Sequence, residues 1–278
     1  VIVVAGAGAK GTIYATYELL ERYGVTFEID GDILPEQTRD LELLALDETM
    51  KPAFKYRGLH PFWNHLTSCQ TWSLDDFKRF VDQCAKLKFN YMSFHFFPFE
   101  PTLSYNYNGE PKLLGDYSAP ETGYMARRRY PGTWSTADLE VGREHFTEKW
   151  HCAPELLNLS GPEDACERVQ DKLRKIIGHA KTRFIDTAVC LYALALPPNL
   201  ARHVRQATPD GWQRCVGKFV CATDPRVREI DEIRLRRLLE TYPEADAIWI
   251  YEAENYPVCE CEYCRALYKR ELGRFGDF

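Results

Sequence analysis

Near the C-terminal end of this 278-residue chain, "IWIYEAEN" places two carboxylates, Glu252 and Glu254, two positions apart in an apolar, aromatic run. A run of that type reads as a strand, in which residues i and i+2 project to one side. If that side lines an enclosed mouth, burial and the neighbouring charge raise the pKa of one carboxyl group, as a general acid at neutral pH requires. Such an acid can protonate a leaving group, while a second carboxylate across the breaking bond acts as nucleophile or activates water. Two positions on one strand do not flank a bond from opposite faces, so the second carboxylate is expected beyond residue 278. A solvated or salt-bridged strand end accounts for the same pair.

Just downstream, "CECEYC" holds Cys259, Cys261 and Cys264. Three thiolates leave a closed structural zinc site one ligand short, and the fourth would have to come from Cys215, Cys221 or His203. A disulfide, or free thiols at a helix start, is together the preferred reading over metal. No catalytic metal and no cofactor are expected. At the other end of the chain, "VIVVAGAGAKG" places Gly6, Gly8 and Gly11 in G-x-G-x-x-G spacing after an apolar run. Asp30 follows about twenty residues on, where the ribose-binding acid of a dinucleotide fingerprint sits. That motif counts only inside a strand-helix-strand unit, and the proline- and charge-rich stretch after Asp30 does not continue one.

The net charge is −6, with no basic stripe interleaved with aromatics, so nucleic acid is not an expected partner. The short run Arg127-Arg128-Arg129 reads as a solvated loop or an anion site. No apolar run reaches the roughly 20 residues of a membrane-spanning helix. Ten cysteines in 278 residues leave the redox compartment open, and neither localisation nor oligomeric state is readable.

From Phe54 onward, strands and helices alternate. "FKYRGLH" reads as a strand, and "SLDDFKRFVDQCAKLKF" as a helix capped by Ser73, with Phe77, Phe80, Val81, Cys84 and Leu87 on one face. "NYMSFHFF", "FIDTAVCLYAL" and "DAIWIYEAEN" read as further strands. The helices between and after them begin at "GPEDAC", at "TDPRVR" with Thr223 or Asp224 as cap and Pro225 in the first turn, and at "CEYCRA". Long irregular stretches, 98–160 and 197–222, follow the strands. The fold class expected is α/β: a small N-terminal α/β domain over 1–50, then roughly the first half of a (β/α)8 TIM-type barrel over 51–278. Barrel strands carry their chemistry at their C-terminal ends, which singles out Arg57, His60, Trp63, Asn64, His95 and the two glutamates. Aromatic residues of the long loop, Trp134 among them, would hang over the mouth and offer flat faces to a ligand.

"GTIYATYELLERYGVTF", "KPAFKYRG", "KFNYMSFH" and "YPEADAIWIYEAEN", in this order, resemble glycoside hydrolases in which a β-hexosaminidase-like α/β domain precedes a TIM barrel. These are the family 67 α-glucuronidases, the family 20 β-hexosaminidases and related bacterial proteins. The resemblance implies a carbohydrate substrate, a fragment of a longer enzyme and a secreted or periplasmic setting. It also implies that the opening glycines serve backbone packing, that Arg57 is a sugar-binding arginine and that His95 belongs to a K-x-N-x-x-H-x-H segment with Ser93 in place of its first histidine. The chain departs from family 20 at the acid: Ala253-Glu254 or Glu254-Asn255 stands where that family has Asp-Glu, which puts N-acetyl-assisted catalysis in doubt. Arg127–Arg129 could select an acidic sugar. A non-catalytic carbohydrate-binding barrel and a nucleotide-binding oxidoreductase are the alternative readings.

Overall fold

The computed structural model describes residues 1–36, 44–61, 69–98, 100–114, 133–135, 144, 150–207, 212–213, 217–252, 256–257 and 259–275. The chain opens with α1 (Ala9–Arg22) and a hairpin of β1 (Thr26–Phe27) and β2 (Asp32–Ile33), followed by β3 (Gly58–Leu59), α2 (Leu74–Lys86) and β4 (Tyr91–Phe94). Two small antiparallel pairs come next, β5 (Asn106–Tyr107) with β6 (Glu110–Pro111) and β7 (Thr133–Ser135) with β8 (Trp150–Cys152). After α3 (Pro162–Thr182) and β9 (Asp186–Ala193), the chain makes an excursion through β10 (Ala195–Leu196), α4 (Pro198–Ala201), β11 (Trp212–Gln213) and β12 (Gly217–Phe219). It ends with α5 (Pro225–Thr241), β13 (Ala247–Glu252) and α6 (Glu262–Phe275).

β3, β4, β9 and β13 form one sheet in which neighbours are successive in the chain and every pair is parallel. α2, α3 and α5 make the crossovers, so the fold is α/β with a parallel sheet. β3 and β4 approach closely because Gly58 has no side chain: a Cβ there would lie 2.2 Å from the Tyr91 carbonyl oxygen. Strand alternation divides the sheet into two faces. Met92, Phe94, Val189 and Leu191 point to the helices and are at most 3% exposed, in a core with Phe77 and Val81 of α2, Leu173, Ile176 and Ile177 of α3, and Ile230 of α5. Each such large side chain contributes about 1.5–3 kcal/mol on burial.

The helix starts follow from their sequences. Ser73 Oγ accepts from the Asp76 backbone N–H at 3.1 Å, and the Asp76 carboxylate accepts from the Ser73 N–H at 2.9 Å, closing a capping box. Asp224 caps α5 ahead of Pro225 and accepts from the Arg226 N–H at 3.0 Å. α2 and α3 both end in a Schellman turn that aims the chain into the next strand: Phe89 N–H donates to Cys84 O and Ile185 N–H to Ala180 O. The left-handed residue is Lys88 (φ 64°) in one turn and Phe184 (φ 59°) in the other, without the usual glycine. Lys88 is held there by ion pairs from its ammonium to Glu18 and Glu21 of α1.

The N-terminal segment departs from its sequence pattern. Val1–Ala5 is not a strand, and Val1 and Val3 are exposed, because no described strand lies beside it to supply ladder partners. β1 and β2 pair antiparallel with Asp30 in the bend between them, so the strand-helix-strand context of a dinucleotide fingerprint is not formed here. Gly6 instead lies flat against the start of α1, where a Cβ would fall 2.1 Å from the Gly11 carbonyl carbon. The segment docks on α2 and on the turn after it. Gln83 donates to Glu28 O and to Asp32 Oδ1, each at 2.9 Å, and Tyr14 OH donates to Phe89 O at 3.1 Å.

Candidate active site

The face of the sheet opposite the helices is built differently. Register pairs Tyr251 with Tyr192 and Trp249 with Cys190, and alternation puts Tyr91, Ser93 and His95 of the β4 segment on the same side. His60, immediately after β3, joins them. Its Nδ1 lies 2.5 Å from Ser93 Oγ and its Nε2 3.3 Å from the Tyr251 hydroxyl. The tautomer with Nδ1–H donating to Ser93 and Nε2 accepting from Tyr251 satisfies both contacts. The His95 ring meets His60 edge-on at 5.4 Å between centroids and packs among Phe97 at 4.3 Å, Tyr192 at 5.0 Å and Tyr251 at 5.3 Å. Tyr192 and Tyr251 stack at 6.0 Å. Arg234 of α5, itself buried, donates to the Tyr192 carbonyl at 2.5 Å and pins that strand end from the helix side.

Electrostatics follow from burial. Desolvation pushes the pKa of His95 down to about 3, with the His60 ring adding to the effect, and lowers that of His60, against which the Ser93 contact acts. Both imidazoles are therefore neutral near pH 7. Desolvation raises the Tyr251 hydroxyl to about 12, so it stays a donor. The group can offer neutral donors, acceptors and aromatic faces, which suits an uncharged polyhydroxylated ligand better than an ion. A cavity of about 570 Å³ lies along the same face, lined by Tyr56, His60, Tyr91, Asp186, Asp246 and Trp249. Tyr91 and Asp186 open their strands, so this space extends toward the N-terminal ends, and His60, Ser93 and Trp249 connect it to the histidine cluster.

The expected site residues divide. His60 and His95 come together at neighbouring strand ends. Arg57 does not join them: it precedes β3, and its guanidinium donates to the carbonyls of Lys88 at 2.9 Å and Phe54 at 2.8 Å. Asn90 completes this clasp, accepting from the Arg57 N–H at 2.8 Å and donating to Lys55 O at 2.8 Å. Arg57 thus acts as a staple at the N-terminal side of the sheet, since the loop carbonyls around it are closer than any strand end. Glu252 ends β13 and is exposed, on the side of Ile248 and Ile250, opposite Tyr251. Trp63, Asn64, Glu254 and Arg127–Arg129 lie outside the described residues, as does the side chain of Trp134, whose backbone pairs with His151 in β7 and β8. Tyr192, Ser93 and Tyr251 were missed as site residues. Ser93, two positions before His95 in one strand, carried a signal in that alternation, whereas Tyr192 and Tyr251 reach the face through a register that the sequence does not display.

The cysteine cluster takes in Cys221, one of the three expected partners. Cys221, Cys259, Cys261 and Cys264 place their four sulfurs within 4.8 Å of one another. All four are free, and the separations of 3.5 Å from Cys221 to Cys264 and 3.7 Å to Cys261 are far beyond the roughly 2.05 Å of a disulfide. Of the other partners expected, His203 is turned to Glu110 at 2.7 Å, and Cys215 lies outside the described residues.

No protein-family model and no curated protein matches the chain. Among solved structures, similarity is found to a glycoside hydrolase family 20 β-N-acetylglucosaminidase at 14% identity and a TM-score of 0.49, covering 91% of this chain and 46% of that one. An exo-β-N-acetylglucosaminidase of the same family from Vibrio harveyi is similar at 14% identity and a TM-score of 0.45, covering 94% and 36%. A β-N-acetylhexosaminidase is similar at 18% identity and a TM-score of 0.41, covering 80% and 41%. The chain spans less than half the length of each of these proteins. At such identities and TM-scores the similarities carry no part of the functional argument.

Proposed function

We propose that the chain supplies the accessory α/β unit, over 1–50, and the first four strand-helix units of a (β/α)8 barrel, over 51–278, of a glycoside hydrolase. The observation that carries this reading is the convergence of His60, His95, Tyr192 and Tyr251, from all four parallel strand ends, on the face away from the helices. Strand C-terminal ends are where a barrel keeps its chemistry. Neutral imidazoles and phenols there can bond sugar hydroxyls, while the rings cover an apolar sugar face.

Glu254 is the general acid in this proposal. Alternation turns Glu252 to the helix side, whereas Glu254 follows the end of β13. The carboxylate on the opposite side of the bond comes from a later strand, and where the sugar is acidic its carboxylate would be taken by Arg127–Arg129 while the neutral histidine and tyrosine groups bind uncharged hydroxyls. Ala253 before Glu254 removes the aspartate that would orient an acetamido group, so the substrate need not carry one. A second reading, a carbohydrate-binding barrel without catalysis, is favoured by the position of Glu252 on the helix side of β13.

The test is to assay the intact gene product on a panel of aryl glycosides and aryl uronides, beside His60→Ala. Hydrolysis of one substrate, with KM raised in the variant, supports the enzyme. Sugar binding by calorimetry without hydrolysis selects the binding protein, and neither binding nor turnover removes both.

A further inference from the structure

Cys221 follows β12, Cys259 lies in the segment after β13, and Cys261 and Cys264 stand just before and within the first turn of α6. Two stretches of chain some forty residues apart thus bring thiols to one point. Cys221, Cys259 and Cys264 are buried, in a small cluster with Tyr192, Ala195, Ala207 and Phe219 that is distinct from the main core. Four sulfurs about 2.3 Å from a central ion form a tetrahedron with edges of about 3.8 Å. The separations of 3.5 Å and 3.7 Å from Cys221 are close to that edge.

The surroundings suit thiolates. Arg205 directs one guanidinium nitrogen at Cys261 Sγ, 3.2 Å away, and at Cys221 Sγ, 3.6 Å away, and the Cys264 backbone N–H donates to Cys261 Sγ at 3.4 Å. Donors aimed at ligand sulfurs both orient them and offset their charge. An all-sulfur, four-coordinate, closed set selects zinc among common divalent ions, and it leaves no position open for water.

We propose that Cys221, Cys259, Cys261 and Cys264 hold one structural zinc ion, which fastens the segment after β13 and the start of α6 to the sheet of β10, β11 and β12. Binding converts four thiols to thiolates, and the protons pass to solvent, giving a complex of net charge −2 that Arg205 partly balances. The ion would add a covalent-like tie to the small apolar cluster of Ala195, Ala207 and Phe219 on which these segments already pack. The site stands independently of the glycosidase reading.

The test uses the whole chain, purified at neutral pH without chelator and analysed for metals. One zinc per chain is expected. Cys221→Ser should lose it, while Cys166→Ser, whose thiol lies in α3 away from the cluster, keeps it. Should Cys221→Ser fail to fold, the wild-type protein still decides: an organomercurial should release one zinc as four thiols are titrated. Refolding with cobalt chloride should give the visible absorption and thiolate charge-transfer bands of tetrahedral sulfur-ligated cobalt. A folded wild-type chain with substoichiometric zinc, iron in zinc's place, or a disulfide between any two of the four cysteines would overturn the assignment.

Discussion

The two faces of the parallel sheet are made from the same four strands and have opposite chemistry. Toward the helices stand Met92, Phe94, Val189 and Leu191, which bond to nothing and fill space. Toward the other side stand Ser93, His95, Tyr192, Trp249 and Tyr251, most of them in ring contacts or hydrogen bonds. Burial does not separate the faces, since His95 is 2% exposed and Phe94 1%. What separates them is that the second face buries groups able to recognise a ligand, and a buried polar group costs free energy unless it is satisfied. One face holds the chain together, and the other carries the proposed site.

That contrast can be broken by substitution on each face. The largest effect on stability is expected from Phe94→Ala, which opens a cavity among α2, α3 and the sheet and should cost about 3–5 kcal/mol, read as a fall in the urea midpoint. A loss within 1 kcal/mol would mean that the helix-side core is not close-packed there.

Acid should act on the other face. The folded pKa of His95 is depressed to about 3 from an ordinary 6.5, so between these values the unfolded chain binds a proton that the folded chain refuses. Stability from this group is complete above pH 6.5 and is lost as pH falls through that window, by up to about 1.4 kcal/mol per pH unit. Urea midpoints from pH 7 down to pH 4 should fall less steeply in His95→Phe than in the wild type. Parallel slopes would show that His95 is not held neutral. The smallest effect is expected from Ser73→Ala, remote from both faces, where losing the cap of α2 should cost about 1 kcal/mol.

Much of the central sheet was legible in the sequence, because strand, cap and helix signals agreed locally. Ser73, Asp224 and Pro225 marked helix starts where the structure has them, and the aromatic strand before Glu252 is β13. The opening segment was not, since Val1–Ala5 has the composition of a strand and strand formation depends on a partner that composition does not reveal. Arg57 was misplaced for a related reason: its neighbours showed a strand end, but not that the carbonyls of Lys88 and Phe54 would take its donors. The cysteine cluster was legible as three residues and three candidates for the fourth, of which the structure places Cys221 beside them. Cys221 stands forty positions before Cys261, and only the fold of the excursion between β9 and α5 brings it alongside.

The central claim is that the face bearing His60, His95 and Tyr251 is the catalytic one, and the two glutamates of β13 and its following segment test it most directly. Glu254→Gln and Glu252→Gln should be compared in the intact gene product on whichever aryl glycoside it cleaves. The account predicts that Glu254→Gln lowers kcat by roughly 10²–10⁴-fold, as loss of a general acid does, while Glu252→Gln stays within a few-fold of wild type. Loss of activity in Glu252→Gln alone would place the acid on the helix side of β13 and contradict the assignment of the faces.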